Sequence, residues 1–191
     1  MLDDYGFDVY EENEFPLAYL LTFRTYGTWL HGDRRWSVGR RRKTPKESKF
    51  IPPNVPLEEA MAAEMKQPQV LLNRVQREAV EAAIAEACAH RDYLLQAANA
   101  RTNHVHSVVT AQVKPEKIIS TLKAYSTRKL RDEGLVPRNL EVWAGGRSRR
   151  YLWKPRHVLA ALDYVLYSQG KIPFEDWYEN WSPPETNLIA S

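Results

Sequence analysis

Residues 104–111 read HVHSVVTA, a β-branched and aliphatic run of strand length that carries two histidines one residue apart. In a strand, residues i and i+2 share a face, so His104 and His106 project together while Val105 faces the opposite side. Two imidazoles on one rigid element suit a divalent metal. They leave most coordination positions to water or substrate, the pattern of a catalytic rather than a structural site. The same short pattern also fits a partly exposed strand face that happens to carry two histidines, so its surroundings decide.

Outward from this strand, a tight polar turn around residues 100–103 joins it to a preceding strand at residues 92–98, and places the histidines at the start of their own. Before that, residues 73–91 read as a helix, with Asn73 and Gln76 in capping-box spacing and Val75, Val80, Ala83, Ile84 and Ala87 on one broad face. After the histidine strand, Pro115 opens a helix to residue 133 with the stripe Ile118, Ile119, Leu122, Tyr125 and Leu130. Lys117, Lys123, Arg128 and Arg131 lie off that stripe.

Residues 141–153 read as a strand or hairpin, and Pro155 begins a last helix that Gly170 ends. Upstream, residues 17–24 (LAYLLTFR) form an apolar, aromatic run of strand length, followed by a polar connection over residues 26–56 without regular structure and a short helix at residues 57–65. The order β, α, β, β, α, β, α is the split βαβ pattern of a ferredoxin-like α+β domain. It predicts an antiparallel sheet with helices on one face and an added C-terminal helix. The chain reads as one domain with a core over about residues 17–170, a basic loop insertion at 25–56 and acidic termini at 1–14 and 172–191.

Charge is strongly segregated within a net +3. The two termini carry ten acids and no base, whereas residues 15–171 hold all 27 Lys and Arg against 14 acids. A basic body favours a polyanionic partner and salt-sensitive binding. Residues 34–49 (RRWSVGRRRKTPKESK) are the densest part and include Arg40, Arg41 and Arg42; they read either as a solvated loop or as a nucleic-acid contact. Arg147, Arg149 and Arg150 lie among Trp143, Tyr151 and Trp153, mixing phosphate-binding cations with rings able to stack on unpaired bases or to fill a core.

The single cysteine, Cys88, sits in an alanine-rich helical stretch and excludes a disulfide framework; it reads as a small core residue. The acidic start lacks an apolar targeting region and no apolar run approaches membrane length, so a soluble, cytoplasmic protein is expected.

The last helix adds a nucleophile. At 100° per residue, Val158, Leu159, Leu162, Val165 and Leu166 cluster on one side, with His157, Tyr164, Tyr167 and Ser168 on the other. This sets Tyr164 outside the apolar stripe. A phenol with a pKa of about 10 is a poor nucleophile at neutral pH, but a metal-polarised phosphate lowers the demand on it. Tyr167 on the same face is its main rival; Tyr125 reads as core, and the acidic surroundings of Tyr5 and Tyr10 repel a phosphate.

The block NHVHSVVTA, the basic helix KPEKIISTLKAYSTRKLR and the later LDYVLYSQG together resemble the single-tyrosine transposases of the HUH (His-hydrophobic-His) superfamily. Within it the chain is most similar to the insertion-sequence and REP-associated tyrosine transposases. The resemblance spans about residues 17–170. It implies a ferredoxin-like sheet, a homodimer, Mg2+ or Mn2+, and cleavage and rejoining of single-stranded DNA through a 5′-phosphotyrosine.

Carried over, His104 and His106 match the metal ligands and Tyr164 the nucleophile. Gln169 is a further ligand candidate, but it lies five residues after Tyr164, where the insertion-sequence relatives have four. In a regular helix that spacing turns it about 140° from the phenol. Lys123, Arg128, Arg149 and Arg150 join Arg40, Arg41 and Arg42 as expected nucleic-acid contacts. Two alternatives share the same residues: a replication-initiator type nickase, and a catalytically inactive or domesticated single-stranded nucleic-acid-binding protein.

Overall fold

The computed structural model describes residues 14–35, 37–38 and 50–167. Its elements are β1 (Ala18–Thr25), β2 (Ser37–Val38), β3 (Phe50–Ile51), α1 (Val55–Ala63), α2 (Arg74–His90), β4 (Leu94–Ala100), β5 (His104–Thr110), α3 (Pro115–Asp132), β6 (Trp143–Leu152) and α4 (Pro155–Tyr167). The main sheet runs β4-β5-β1-β6, antiparallel throughout, which is the strand order of the ferredoxin-like α+β fold expected from the sequence. Residues 141–153 resolve into the single strand β6 rather than a hairpin.

Alternation along β1 divides the core into two layers. Tyr19, Leu21 and Phe23, with Val105 and Val109 of β5, meet Val80, Ile84 and Ala87 of α2 and Ile118, Ile119 and Leu122 of α3. Ala18, Leu20, Val108 and Leu152 meet Ala161, Tyr164 and Val165 of α4 on the opposite face. The split βαβ helices therefore share one face, and the added helix closes the other.

The start of α2 is fixed by its capping box: Gln76 N donates to Asn73 Oδ1 and Asn73 N to Gln76 Oε1, each at 2.9 Å. Cys88 is buried, as expected, and burial pushes its thiol up to about 11. Tyr125 packs partly buried against the core.

Four expectations require correction. Val75 is exposed, and the buried face of α2 runs instead through Ala79, Val80, Ala83, Ile84, Ala87 and Cys88. The connection 26–56 contains the short β2–β3 pair, and the helix after it starts at Val55 because Asn54 caps it through a bond from Leu57 N to Oδ1.

On α4 the buried residues are Ala160, Ala161, Tyr164 and Val165, while Leu159 and Leu166 are nearly half exposed. Summed side-chain hydrophobicity favours the leucine side of this helix. The sheet beneath offers Ala18, Leu20, Ala97, Val108 and Leu152, against which Ala161, Tyr164 and Val165 pack, with Val158 and Leu162 partly buried beside them.

Candidate active site on the α4 face of the sheet

The histidine strand begins at a turn held from several directions. The Asn103 carbonyl accepts from Thr25 N at 3.0 Å, Thr25 Oγ1 at 3.0 Å and Thr28 Oγ1 at 3.3 Å. Arg101 N donates to His104 O at 2.7 Å, closing the β4–β5 turn. The imidazoles that follow are thus set on a backbone whose polar groups are already paired.

Each ring has one nitrogen committed. Asn103 Oδ1 accepts from His104 Nδ1 at 2.7 Å, which puts a proton on Nδ1. His106 Nδ1 is hydrogen-bonded to Thr22 Oγ1 at 2.7 Å, across the register that pairs Thr22 with His106. The rings lie edge to face with centroids 4.7 Å apart. Outer-shell bonds of this kind orient imidazole ligands on a metal. His106 is only 8% exposed, and burial first, then the charges of His104, Arg24 and Arg101, hold its pKa down to about 3. It stays neutral, the state a metal requires, far below physiological pH.

Neutrality has a measurable consequence for the metal-free protein. The unfolded chain takes up a proton at this position as pH falls below about 6.5, whereas the folded chain waits until about 3. The native state therefore loses stability progressively across that window, by several kcal/mol at its lower end, and holds the full contribution above it. Urea unfolding of chelator-treated protein between pH 7 and pH 4 should show this slope, and His106→Gln should reduce it to the part that His157, held down to about 4, contributes; an equal slope in both proteins contradicts the assignment.

The α4 helix brings Tyr164 onto the pair. Its ring centroid is 5.4 Å from that of His106 at an interplanar angle of 83°, and the residue is 7% exposed. Tyr167, the rival phenol, is 79% exposed at the end of the described helix. Asn99, strand partner of His106 on β4, donates from Nδ2 to Val165 O at 3.0 Å and so ties the Tyr164 turn of α4 to the sheet. His157 lies earlier on the same helix, its pKa held down to about 4 by burial and by Arg156, Lys154 and Arg150.

Asn99→Ala should leave Mn2+ affinity unchanged and slow any reaction at Tyr164 by about 10- to 100-fold, the cost of a nucleophile displaced by about an ångström. Calorimetric Mn2+ titration beside single-turnover kinetics separates the two effects. Weakened metal binding in this variant would place Asn99 in the ligand shell instead.

The structure brings together His104, His106 and Tyr164 from the expected set. Gln169, Arg40, Arg41 and Arg42 lie outside the described residues, among which no group of three or more His, Cys, Asp or Glu side chains could hold a metal. The remaining expected contacts are dispersed.

Lys123, on α3, is half-buried with Nζ donating to Ala144 O at 2.7 Å, and burial lowers its pKa. Arg128 lies 4.3 Å over the Tyr125 ring and 3.8 Å from Glu86, on a groove it shares with Arg131 and Arg138. Arg149 pairs with Glu116 at 2.8 Å on the α3 side, whereas Arg150 alternates onto the α4 side opposite Leu20. Trp143 proves to be core: it packs edge-on against Phe23 at 4.9 Å and donates from Nε1 to Thr127 Oγ1 at 3.0 Å. Tyr151 and Trp153 stack on each other with centroids 6.2 Å apart.

Thr22, Asn99 and Arg24 were not anticipated. The first two touch His106 and α4, and Arg24 is the strand partner of His104. The alternation in LAYLLTFR, which puts Thr22 and Arg24 on one face with Leu20, is the trace they leave in the sequence.

Fold and site together define an α+β protein with paired imidazoles on a central strand and a phenol that α4 packs against one of them. The chain belongs to the IS200-like transposase family, whose model, described as "Transposase IS200 like", matches residues 61–165 and so includes both histidines and Tyr164. The activity of that family is DNA transposition.

A solved structure described as a candidate transposase from Deinococcus radiodurans R1 is 12% identical, covers 86% of this chain and 100% of its own, and superposes with a TM-score of 0.44. No curated protein matches the chain. Among the described residues no helix is long and apolar enough to cross a membrane.

Proposed function

We propose that this transposase acts on single-stranded DNA, cleaving and rejoining it through a 5′-phosphotyrosine on Tyr164 with a divalent cation at the histidine pair. The observation that carries the reading is the packing of the Tyr164 ring on His106, 5.4 Å between centroids, within a single chain.

The donor set fits such an ion. Both Nδ1 atoms are engaged and His106 is held neutral, so His104 and His106 would hold Mg2+ or Mn2+ through Nε2, with Gln169 as the candidate further ligand. When bound, the ion supplies Lewis-acid polarisation of the scissile phosphate.

Tyr164 Oη attacks phosphorus in line, forms the phenol–phosphate ester with the 5′ end and breaks the bond to the 3′ oxygen, which leaves as a hydroxyl. The phenol gives up one proton and the 3′ oxygen gains one. Because one phosphate ester replaces another, attack by a 3′-hydroxyl on the tyrosyl ester reverses the step without ATP. Homodimerisation belongs to the same proposal, and the half-exposed Leu159 and Leu166 give it an apolar surface on α4.

The test is a labelled single-stranded oligonucleotide incubated with protein and Mn2+. A metal-dependent covalent adduct is expected; tight binding with no adduct would leave a nucleic-acid-binding module instead.

A further inference from the structure

Arg24 stands directly opposite His104 in the β1–β5 register. Opposed residues of an antiparallel pair share a face with Cβ atoms about 5 Å apart, so this guanidinium belongs to the same surface as the histidines. Its Cζ sits over the Trp29 ring, 3.1 Å from the centroid, and that of Arg35 lies 4.6 Å from the same centroid.

The surrounding loop is fixed. Gly27 and Gly32 adopt positive φ, at 70° and 93°, where a side chain would run into Met65 and Gln69 or into Asn54 and Glu58. Trp29 and Arg35 are therefore held by a backbone seated on α1 and the segment after it.

The charges around Arg24 do not balance. Asp33 is committed to Arg35, accepting from its Nε at 2.8 Å, and Arg35 also donates to Thr28 O at 2.9 Å. Among the described residues no carboxylate, hydroxyl or carbonyl accepts from the Arg24 guanidinium. Burial and the neighbouring Arg35 hold its pKa down to about 10, so it remains protonated at neutral pH but at a cost in free energy.

A half-buried cation beside a second cation, with no hydrogen bond to a described acceptor, is offset by an incoming anion. A guanidinium stacked on an indole presents its N–H donors edgewise in a fork that matches two phosphate oxygens.

We propose that Arg24, stacked on Trp29, is the phosphate-binding cation of this site, bonding the non-bridging oxygens of the phosphodiester presented to His104 and His106. The chemical part of this inference rests on the strand-transfer reading, since the same phosphate would stay in the fork after transfer to Tyr164. The contact itself does not depend on that reading.

Two measurements on Arg24→Gln and Arg24→Lys test it. In the first, binding of a single-stranded oligonucleotide is followed against salt. Losing one phosphate contact should weaken binding and reduce the slope of log K against log salt by about one in Arg24→Gln, with Arg24→Lys retaining the wild-type slope. A slope unchanged in Arg24→Gln overturns the proposal, because a purely structural cation–π role would alter melting temperature alone.

In the second, adduct formation is timed on a normal oligonucleotide and on one with a single methylphosphonate at the scissile position. Arg24→Gln should be about 10²-fold slower than wild type on the phosphate and nearly equal to it on the neutral analogue. Equal slowing on both substrates overturns the proposal. A wild-type protein that forms no adduct, with the slope still falling in Arg24→Gln, rejects strand transfer and supports the phosphate contact.

Discussion

Tyr164→Phe is expected to leave a folded, DNA-binding protein that forms no covalent adduct, with strand cleavage reduced by about 10⁴-fold or more. The substitution removes one oxygen and keeps the ring that packs edge-on against His106 and fills the α4 layer with Ala18, Leu20 and Val108. Its stability should therefore stay close to wild type, and a lost adduct reports lost chemistry rather than lost structure. Tyr167→Phe is the matched control: its ring is 79% exposed, and cleavage should proceed at the wild-type rate. Denaturing gel electrophoresis of protein mixed with end-labelled oligonucleotide distinguishes these outcomes. An adduct that persists in Tyr164→Phe and disappears in Tyr167→Phe would reassign the nucleophile.

Removing either imidazole should be nearly as damaging. His106→Ala is expected to reduce Mn2+ affinity beyond the roughly 10- to 100-fold typical of losing an outer-shell partner, and to slow cleavage by about 10³-fold at a fixed metal concentration. The variant also leaves the Thr22 hydroxyl without its 2.7 Å partner, which costs about 1–3 kcal/mol if nothing replaces it. Metal linkage separates the two effects: wild-type protein should gain melting temperature as Mn2+ is added, and His106→Ala should not. Thr22→Val should fall between them, with weakened metal affinity and both ligands still present. A wild-type melting temperature indifferent to Mn2+ would contradict the ligand assignment.

The sequence carried the element order and the histidine face legibly because both are local. A strand period of two fixes His104 with His106 whatever the rest of the chain does, and the capping box at Asn73 and Gln76 marks its helix start within four residues. Register is different. Thr22 bonds His106 across 84 positions of chain, and Arg24 meets His104 in the same pairing. No spacing in LAYLLTFR announces which strand will lie beside it, so the groups that orient the imidazoles stayed hidden until the sheet was assembled.

The last helix shows a second limit. A hydrophobic stripe drawn from Val158, Leu159, Leu162, Val165 and Leu166 set Tyr164 on the outward side, whereas the sheet receives Ala161, Tyr164 and Val165 and leaves Leu159 and Leu166 half exposed. Periodicity finds the greasiest face of a helix. The face that docks is chosen by the shape and polarity of what it meets, here Ala18, Leu20, Ala97, Val108 and Leu152 together with His106 against the Tyr164 ring and Asn99 against Val165 O. The dispersal of the basic residues has a similar origin: alternation along β6 sends Arg149 to Glu116 and Arg150 to the α4 side.

Peptide mass spectrometry of the covalent complex gives the most direct measurement of whether the paired imidazoles and this phenol act as one site. After Mn2+-dependent reaction with a single-stranded oligonucleotide and digestion of both polymers, the residual 5′-phosphonucleotide should be found on the peptide containing Tyr164 and nowhere else. Recovery of the label on Tyr167, Tyr5 or Tyr10, or its formation at an undiminished rate after chelation of the metal, would contradict the account.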